Sequence, residues 1–536
     1  MRSRTFSAVL VCLAVGLAVI ARAQTQSVSS SSPSTSLRQV AYLKASNTEM
    51  GDHFGNGGTL EGHSVAVSGD GNTLAVGAPY ESSGAKGING NQNSNSLYSA
   101  GAVYVFTGRN NAWTQQAYIK ASNPGQSDKF GFVVSLSQDG NTLAVSAVFE
   151  PSAAKGINGD QSDNSIPQAG AVYVFARTGT TWSQQAYIKA SNTGEAGAGD
   201  QLGDGDQFGF SIGLSADGNT LAVGAIGEDG GATGINGDQK DNSQPGSGAV
   251  YIFTRTGTAW SQQAYVKTSN TDAADLFGYS VGLSADGNTL AASAYDEDGS
   301  SRTINGVQDK GRRGSGAIYV FTRTGANWSQ QAYLKASNAE PGDSLGYAIA
   351  ISQDGNTIAG GAADEDCMTP GVFPSAPPVC ENDQRLDNSS GAAYVFVRNG
   401  TAWTEQAFIK SSNPGKEDWF GSRLTLSGDG NTLAVGTQLE NGSAKGVNGQ
   451  ADDAAEDAGA VYFFTRTGTT WTQTAYVKAS NAEAYDEFGS AMALSKDGKL
   501  MAIGARSEGS AAKGINGDQN DNSAPGAGAV YIFTYQ

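Results

Sequence analysis

The sequence has few of the residues that usually carry catalytic chemistry. Its 536 residues include only two His and three Cys, and 16% are charged. So few His leave little material for a His-based metal site or a Ser-His-Asp triad. The low charged fraction argues against helical bundles and coiled coils. Phosphate-binding loops are also missing, because the glycines follow turn positions rather than a strand-to-helix step. We therefore expect a protein that is not an enzyme.

Basic residues and long apolar runs are also scarce. The 33 Lys and Arg stand against 51 Asp and Glu, which gives a net charge of −18. This charge repels phosphate backbones, so no nucleic-acid partner is expected. Residues 1–23 carry an early Arg pair, an apolar run and an Ala-Arg-Ala ending, which is typical of a signal peptide cleaved after Ala23. No later run is long enough for a transmembrane segment. The sequence predicts a secreted, periplasmic or cell-surface protein.

The cysteines agree with export. Cys12 belongs to the predicted signal peptide, whereas Cys367 and Cys380 lie in one loop of the mature chain. In an oxidising compartment this pair predicts a disulfide. A metal site is less favoured, because His53 and His63 lie far away in sequence.

Internal repetition is the main positive feature of the sequence. A YLKASN-like hexapeptide recurs about every 72 residues, and GAVYVF-like and S-x-D-G segments also occur seven times each. The hexapeptides begin at Tyr42, Tyr118, Tyr187, Tyr265, Tyr333, Phe408 and Tyr476. Three independent markers with the same count indicate seven copies of one structural unit.

Each copy divides into four short strands. In the third copy these cover 208–215, 220–226, 248–255 and 260–269, with Asp-Gly-Asn and Thr-Gly-Thr turns typical of hairpins. Repetition of four antiparallel strands predicts an all-β, seven-bladed β-propeller over 37–536, preceded by a Ser-rich linker at 24–36. The chain opens on a fourth strand at Leu37 and ends on a third. A closed ring explains both ends, because the N-terminal strand completes the last blade; a solenoid would need caps instead.

The order of these motifs resembles a known family. The FG, DG, LAVGA and GAVYVF segments follow one another as in the FG-GAP repeats of integrin α-chain propellers and their bacterial relatives, over essentially all of 37–536. The resemblance implies a propeller that binds ligands on one face. The Ca²⁺ loops of integrin-type propellers are not carried over, because each S-x-D-G turn keeps only one of the acidic residues that those loops use.

Two sets of acidic residues recur in the copies. A Glu follows every second strand, and an Asp precedes every Phe-Gly or Leu-Gly pair, with the register of Asp52 left open. The Glu positions are Glu81, Glu150, Glu228, Glu297, Glu365, Glu440 and Glu508, and the Asp positions are Asp128, Asp206, Asp275, Asp343, Asp418 and Asp486. These acids are predicted to be neighbours. They suit either a Ca²⁺ site or a structural role in which Asp caps a turn and Glu pairs with the repeated Lys. The structural role is favoured.

Two further acidic features suit Ca²⁺. The loop motif G-I-N-G-D-Q-x-D-N-S is complete in three copies, and a second acidic run precedes the third copy. The candidate ligands are Asp160, Asp163, Asp238, Asp241, Asp518 and Asp521 in the loops, and Asp200, Asp204 and Asp206 in the run. Asp, Asn and Gly also form turns without any metal, so both interpretations stay open.

The leading functional hypothesis is an exported, monomeric binding or adhesion module. It would engage an extracellular protein or glycan through an acidic face formed by the long loops after the second and fourth strands, with Ca²⁺ as a possible helper. An extracellular hydrolase or lyase acting on polysaccharide is the alternative, and a passive envelope component is the third hypothesis. An unrepeated His/Tyr/Arg/Glu cluster at the channel mouth would favour the enzyme, whereas exposed aromatics such as Trp419, Tyr485 or Phe373 would favour binding.

Overall fold

The structure is a computed structural model that describes residues 36–56, 63–109, 112–194, 205–380 and 388–535. Within these ranges it consists of β-strands, turns and loops, with one short 3-10 helix at Pro378–Cys380. No described segment forms a helix of the length and apolarity needed to cross a membrane. The predicted signal peptide lies outside the described residues, as does the linker up to residue 35.

The strands follow the four-strand repeat predicted from the sequence. After β1 (Leu37–Leu43), blades one to three contain β2 (Val65–Val67), β3 (Thr73–Ala78), β4 (Ala102–Arg109), β5 (Ala112–Ile119), β6 (Phe130–Leu136), β7 (Thr142–Ala147), β8 (Ala171–Thr178), β9 (Thr181–Ile188), β10 (Phe208–Leu214), β11 (Thr220–Ala225), β12 (Ala249–Thr256) and β13 (Ala259–Val266). Blades four to seven contain β14 (Phe277–Leu283), β15 (Thr289–Ala294), β16 (Ala317–Thr324), β17 (Asn327–Leu334), β18 (Ile349–Ile351), β19 (Thr357–Ala362), β20 (Gly371–Phe373), β21 (Ala392–Asn399), β22 (Ala402–Lys410), β23 (Arg423–Leu426), β24 (Thr432–Thr437), β25 (Ala460–Thr467), β26 (Thr470–Val477), β27 (Phe488–Leu494), β28 (Leu500–Ala505) and β29 (Ala529–Tyr535).

The seven sheets close into a ring. Each sheet is antiparallel and contains four strands in meander order, with β20 as an extra fifth strand in blade five. The innermost strands of neighbouring blades contact one another from β2 through β6, β10, β14, β18, β23 and β27 back to β2. The N-terminal strand β1 pairs with β29, with Leu37 opposite Tyr535 and Leu43 opposite Val530. The predicted seven-bladed propeller, closed by its N-terminal strand, is confirmed.

Burial along the strands follows from their position in the ring. All six residues of β7 and the first five of β8 are buried, because these middle strands lie between two neighbouring blades. The outer strand β9 is exposed at its start and buried at its end. Aromatic rings fill the space between sheets, and Phe130 meets Tyr173 edge-on at a centroid distance of 5.3 Å. The core is therefore a set of layers between blades rather than one central cluster.

The S-x-D-G-N turns are stabilised by side chains as well as by glycine. In blade two, the Ser137 hydroxyl donates to Asp139 at 2.6 Å, and the same carboxylate accepts the Asn141 backbone N–H at 2.9 Å. The Ser137 oxygen also accepts the backbone N–H of Thr142 at 2.9 Å. These contacts explain why Ser and Asp recur at this spacing.

The same turns join into a ring of backbone hydrogen bonds at one end of the channel. The residue after each Ser donates its N–H to the carbonyl of the matching residue in the next blade, at distances such as 2.8 Å from Gln138 to Ala216. The seven members, in order, are Gly69, Gln138, Ala216, Ala285, Gln353, Gly428 and Lys496, and Lys496 donates back to Gly69 at 3.2 Å. This end of the molecule is called the short-turn face below.

Blade five differs from the others through its cysteine loop. Cys367 and Cys380 form a disulfide, as predicted, and both are buried. The loop adds β20, whose Val372 and Phe373 pair with Ile409 and Phe408 on the outer strand. The extra strand was not predicted, because Gly-Val-Phe is too short to stand out from a Pro-rich loop.

Glycine is required where neighbouring blades touch. Gly248 has φ +74°, and a Cβ at this position would lie 2.2 Å from the carbonyl oxygen of Phe277 in the next blade. Gly257 in the β12–β13 turn has a similar φ of +62°, but a Cβ there would have no atom within 4 Å. We expect Gly257→Ala to cost about 1–2 kcal/mol from backbone strain alone. Gly248→Ala should cost about 1–3 kcal/mol more, because the blades must separate. Thermal and denaturant unfolding of the two variants checks this difference; equal losses would contradict the close approach.

Candidate functional site

The long loops lie on one side of the ring, here called the long-loop face, and each is attached to its own blade. In blade two, Ile157 forms a β-bridge with Ile188, and the backbone N–H of Asn158 donates to the Tyr187 carbonyl at 2.7 Å. The Asn158 side-chain oxygen accepts the Tyr187 N–H at 3.0 Å. The G-I-N-G part of the loop motif therefore covers the edge of the outer strand, and β20 takes this place in blade five.

The repeated Glu residues form buried ion pairs with the repeated Lys. In blade two, Lys189 Nζ lies 2.9 Å from Glu150 Oε2, and both side chains are fully buried. The Tyr187 hydroxyl donates to the other carboxylate oxygen at 3.0 Å. All seven blades have the ion pair, with N–O distances of 2.7–3.0 Å. The Tyr donor is missing only in blade five, where Phe408 replaces it.

The same carboxylates also connect neighbouring blades. Asn123, at the end of the hexapeptide that closes blade one, donates to Glu150 of blade two at 3.0 Å. Its side-chain oxygen accepts the hydroxyl of Tyr173 at 2.6 Å. The link recurs at every junction, as Asn47–Glu81, Asn123–Glu150, Asn192–Glu228, Asn270–Glu297, Asn338–Glu365, Asn413–Glu440 and Asn481–Glu508. Each hexapeptide thus binds two carboxylates, one through Lys and one through Asn.

The repeated Asp residues cap turns beside these ion pairs. Asp128 is buried and accepts the backbone N–H of Gly125 at 2.6 Å. Burial raises the pKa of Asp128 to about 7, and the nearby Glu150 carboxylate adds to the rise. Asp52 occupies the same position, since it accepts the Glu49 N–H at 2.9 Å, which settles its register. The equivalent contacts of Asp206, Asp275, Asp343, Asp418 and Asp486 have donor–acceptor distances of 2.6–3.1 Å.

The Asp residues of the loop motif are exposed (Asp160, Asp238, Asp518) or half-buried (Asp163, Asp241, Asp521), and they make local turns. Asp160 accepts the backbone N–H of Ser162 at 2.9 Å, and Asp163 accepts that of Ser165 at 3.0 Å. Asp238, Asp241, Asp518 and Asp521 each accept the N–H two residues later in the same way. Asp200 and Asp204 lie outside the described residues, whereas Asp206 belongs to the turn-capping set. Within the described ranges, no three His, Cys, Asp or Glu side chains form a group that could hold a metal ion.

A second polar network, which the sequence analysis missed, joins blades near the short-turn face. Arg177 of blade two lies against the Trp182 ring at 5.3 Å and donates to Gln116 of blade one at 3.2 Å. The Trp182 indole N–H donates to the same Gln oxygen at 3.0 Å. Blades two to six have this contact through Arg177, Arg255, Arg323, Arg398 and Arg466. The regular spacing of Arg, Trp and Gln in the repeats is the sequence signal from which this network could have been predicted.

The two junctions of the closing blade lack this network. Blade one has Gly108 at the Arg position, and Val40 of β1 stands where the Gln is expected. Blade seven has Tyr535 in place of Arg and Leu37 in place of Trp. In the described structure, the buried Trp113 Nε1 has no hydrogen-bond partner. These junctions therefore depend on apolar packing and on the Asn47–Glu81 and Asn481–Glu508 hydrogen bonds.

One ring of positions on the long-loop face varies from blade to blade. The residue between the capping Asp and the Phe-Gly or Leu-Gly pair has a left-handed φ of 51–60° in every blade, which fixes its orientation. Its identity nevertheless differs in each copy: His53, Lys129, Gln207, Leu276, Ser344, Trp419 and Glu487. Since the Phe-Gly pair begins the innermost strand, this variable ring surrounds the mouth of the central channel.

An unrepeated polar cluster occupies the part of the mouth between blades seven, one and two. The His53 Nδ1 atom lies 3.0 Å from the Arg506 carbonyl, and the His53 ring contacts Tyr80 at 4.9 Å. Lys129 Nζ lies 3.0 Å from the centre of the Tyr80 ring. Arg506 forms an ion pair with Glu487. A cavity of ≈520 Å³ opens beside His53 and Glu487.

The aromatics singled out from the sequence occupy three different places. Trp419 is half-buried at the mouth, with its ring 6.3 Å from Tyr347. Tyr485 is 54% exposed on the long-loop face. Phe373 lies on β20 against Phe408. Only Trp419 belongs to the variable ring.

A family model described as the FG-GAP repeat matches residues 113–175 and 471–533. Each match runs from the outer strand of one blade through the third strand of the next, so it spans a junction held by a Glu and an Asn. The chain is an FG-GAP-like seven-bladed propeller. No curated protein matches its sequence.

Several solved structures are similar to this FG-GAP propeller in overall shape. A putative 6-phosphogluconolactonase from Bacteroides uniformis is 10% identical, with coverage of 78% of this chain and 86% of that chain and a TM-score of 0.42. A periplasmic gluconolactonase from Pseudomonas aeruginosa is 13% identical, with coverage of 84% and 98% and a TM-score of 0.45. Hydrazine synthase from Kuenenia stuttgartiensis is 13% identical, with coverage of 82% and 91% and a TM-score of 0.42.

The buried carboxylates should dominate the stability of the FG-GAP propeller. Glu150→Gln leaves the Lys189 charge buried without an anion, so we expect a loss of about 3–5 kcal/mol. Tyr187→Phe removes one neutral donor and recreates the blade-five arrangement, so it should cost only about 1 kcal/mol. Denaturant unfolding monitored by tryptophan fluorescence checks the ranking. A Tyr187→Phe loss as large as that of Glu150→Gln would show that the ion pair is not the central contact.

The capping Asp residues should make the FG-GAP propeller less stable as pH rises. Because the folded-state pKa of Asp128 is about 7 and the ordinary value is 3.8, its stabilising effect is complete below about pH 4 and is lost as pH rises through 7. Asp128→Asn keeps an acceptor for Gly125 but does not titrate. It should flatten the pH dependence of the unfolding free energy by up to about 1.4 kcal/mol per pH unit.

A matched Asp on the short-turn face serves as the control for this pH series. Burial would raise the pKa of Asp139, but hydrogen bonds from Ser137 and Asn141 outweigh it, so its pKa is lowered. The Asp139→Asn variant should therefore lose stability relative to the wild-type protein as pH rises above the range in which Asp139 titrates. The stability of Asp128→Asn relative to the wild-type protein should change in the opposite direction. Thermal melts from pH 4 to 8 at constant ionic strength measure both. Parallel pH curves for Asp128→Asn and the wild-type protein would contradict a raised Asp128 pKa.

Proposed function

We propose that the protein is an exported binding module that recognises an extracellular protein or glycan at the mouth of its long-loop face. One observation carries this proposal: the contacts that build the ring recur from blade to blade, whereas the variable ring carries a different residue in each blade. Uniform contacts are what a repeated scaffold needs. Gln207, Leu276 and Ser344 are buried, whereas His53, Lys129, Trp419 and Glu487 are half-buried. These four different side chains, held at fixed orientations, supply a specific recognition surface.

The chemistry of the variable ring supports recognition of a polar ligand with an apolar part. It combines a cation, a carboxylate, an imidazole, an amide, a hydroxyl and two apolar side chains. Such a mixture, placed on a rigid support, is typical of a binding site in which a few polar groups fix the orientation of the ligand. The backbone conformation limits reorganisation on binding, because the left-handed φ is set by the capping Asp and the Phe-Gly pair in each blade.

Ca²⁺ remains part of the proposal as a helper in binding. Its donors would be loop carboxylates such as Asp160 and Asp163, each of which uses one oxygen on a local backbone N–H. Since two carboxylates are too few for Ca²⁺, loop carbonyls, water or the bound ligand would complete the oxygen shell.

A second candidate function is an extracellular hydrolase or lyase that acts on polysaccharide. The unrepeated His53, Tyr80, Lys129, Glu487 and Arg506 cluster is the observation that favours it. The carbonyl contact of the His53 Nδ1 atom suits the tautomer that carries its proton there, which leaves Nε2 as the basic nitrogen. An imidazole in this state beside an ion pair could serve in proton transfer.

The binding proposal is tested with the mature protein from residue 24 on a glycan array and in pull-downs from cell-surface protein fractions. For the ligand found, we expect Trp419→Ala and Lys129→Ala to weaken binding at least tenfold. Lys499→Ala on the short-turn face, where the side chain is 72% exposed, should leave binding unchanged. Binding lost in Lys499→Ala but kept in both mouth variants would place the site elsewhere. EGTA should weaken the same binding if Ca²⁺ assists.

A further inference from the structure

The mouth of the channel is chemically divided into two arcs. The residue after each Phe-Gly or Leu-Gly pair is aromatic in four successive blades, as Phe132, Phe210, Tyr279 and Tyr347, and is small and polar in the other three, as Asn56, Ser422 and Ser490. This division is unusual in a chain whose strands otherwise repeat closely. The aromatic arc lies on blades two to six, and the polar cluster around His53 lies on blades seven, one and two.

The aromatic side chains form one continuous set of ring contacts. Phe132 lies 5.9 Å from Phe210, which lies 5.1 Å from Tyr279. Tyr279 lies 5.6 Å from Tyr347, and Tyr347 lies 6.3 Å from Trp419. The arc therefore crosses five neighbouring blades. The three middle rings, Phe210, Tyr279 and Tyr347, are buried. Phe132 and Trp419 at the two ends are half-buried, as are Phe149 and Tyr295 beside the arc, so parts of these four rings face solvent.

A purely structural plug does not account for this arrangement. At the other end of the channel, a cavity of ≈160 Å³ is lined by aliphatic side chains from all seven blades: Val67, Leu136, Leu214, Leu283, Ile351, Leu426 and Leu494. This lining is chemically uniform, because every blade places an aliphatic side chain at the equivalent position. At the mouth, by contrast, the position after the Phe-Gly or Leu-Gly pair is aromatic in four blades and small and polar in three. The asymmetry indicates a surface shaped for an asymmetric ligand.

A sugar ring fits such a two-sided surface. It presents an apolar C–H face that can stack on an aromatic ring and a rim of hydroxyls that donate and accept hydrogen bonds. The polar cluster offers both kinds of partner, since Lys129 is a donor and Glu487 is an acceptor next to Arg506. The net charge of −18 disfavours polyanions, and the Arg506 charge is already neutralised by Glu487.

We infer that the mouth binds a neutral glycan, with sugar rings stacked on the half-buried aromatic rings of the arc and hydroxyls bonded to the Lys129 and Glu487 side. The inference rests on the proposed binding function and narrows its ligand to a class. An extended peptide would instead need a row of unpaired backbone groups, which an arc of aromatic rings does not supply.

The test uses the mature chain with soluble β-glucan, mannan, galactan and chitin oligosaccharides as neutral probes. Alginate and heparin serve as anionic probes. Calorimetry and tryptophan fluorescence should show binding of at least one neutral probe and at least tenfold weaker binding of the anionic ones. Trp419→Ala and Phe149→Ala should each weaken the neutral interaction at least tenfold, and Trp419→Phe should retain more affinity than Trp419→Ala.

Val307→Ala is the matched control, because Val307 is an exposed apolar side chain in a long loop of blade four that belongs neither to the arc nor to the cavity beside His53 and Glu487; its affinity should stay within twofold of wild type. Circular dichroism and thermal melting confirm folding of each variant. Preference for anionic probes, or loss of binding only in Val307→Ala, overturns the glycan inference. Mouth-dependent binding of a protein but no glycan also overturns it, while the binding proposal stands. No mouth-dependent binding of any probe overturns both.

Discussion

The structure depends on one interaction, the buried Glu carboxylate that two blades share. A charge removed from water is tolerated only when donors surround it, and here Lys and Tyr come from the same blade while Asn comes from the preceding one. At Glu150 these donors are Lys189, Tyr187 and Asn123. The carboxylate thus connects the outer strand and the long loop of its own blade to each other and to the preceding blade. The position of the mouth residues follows from these contacts.

Much of the fold could be predicted because its rules repeat along the chain. Asp-Gly turns, apolar middle strands and a fourth strand at the N-terminus predicted seven blades and their closure. The pairing of Glu with Lys could be anticipated as one of two roles, since both recur in every copy. The disulfide followed from Cys367 and Cys380 being the two cysteines left after the signal peptide.

The remaining features were hidden because they depend on spatial neighbours or on backbone atoms. Asn123 contacts Glu150 across a blade junction, and the sequence around Asn123 within its own repeat does not indicate that partner. The backbone ring through Gln138 and Ala216 involves no particular side chain, so no residue type marks it. The aromatic arc was missed because Phe132 and Trp419 are far apart in sequence and their positions differ by three residues within the repeat.

Positions inside the ring repeat from blade to blade, whereas positions at its rim vary. Contacts that every blade needs are uniform, and they supply enough stability for other positions to change independently. The residue before each Phe-Gly pair can therefore be altered in one blade without disturbing its neighbours. This explains how His53, Lys129 and Trp419 occupy equivalent places although their chemistry differs completely.

The closing blade shows how such a ring can be completed. The last blade must enter a gap that already has a wall on each side, and its two halves come from opposite ends of the chain. An Arg in this blade would have to lose its water before its partners were in place. With Tyr535 and Leu37 in place of Arg and Trp, closure needs no Arg–Trp–Gln network, but it still buries the Lys44–Glu508 ion pair and the Asn47–Glu81 hydrogen bond. Because Lys44 comes from the N-terminal segment and Glu508 from the C-terminal part of the chain, the buried ion pair of this blade forms only when both ends of the chain meet.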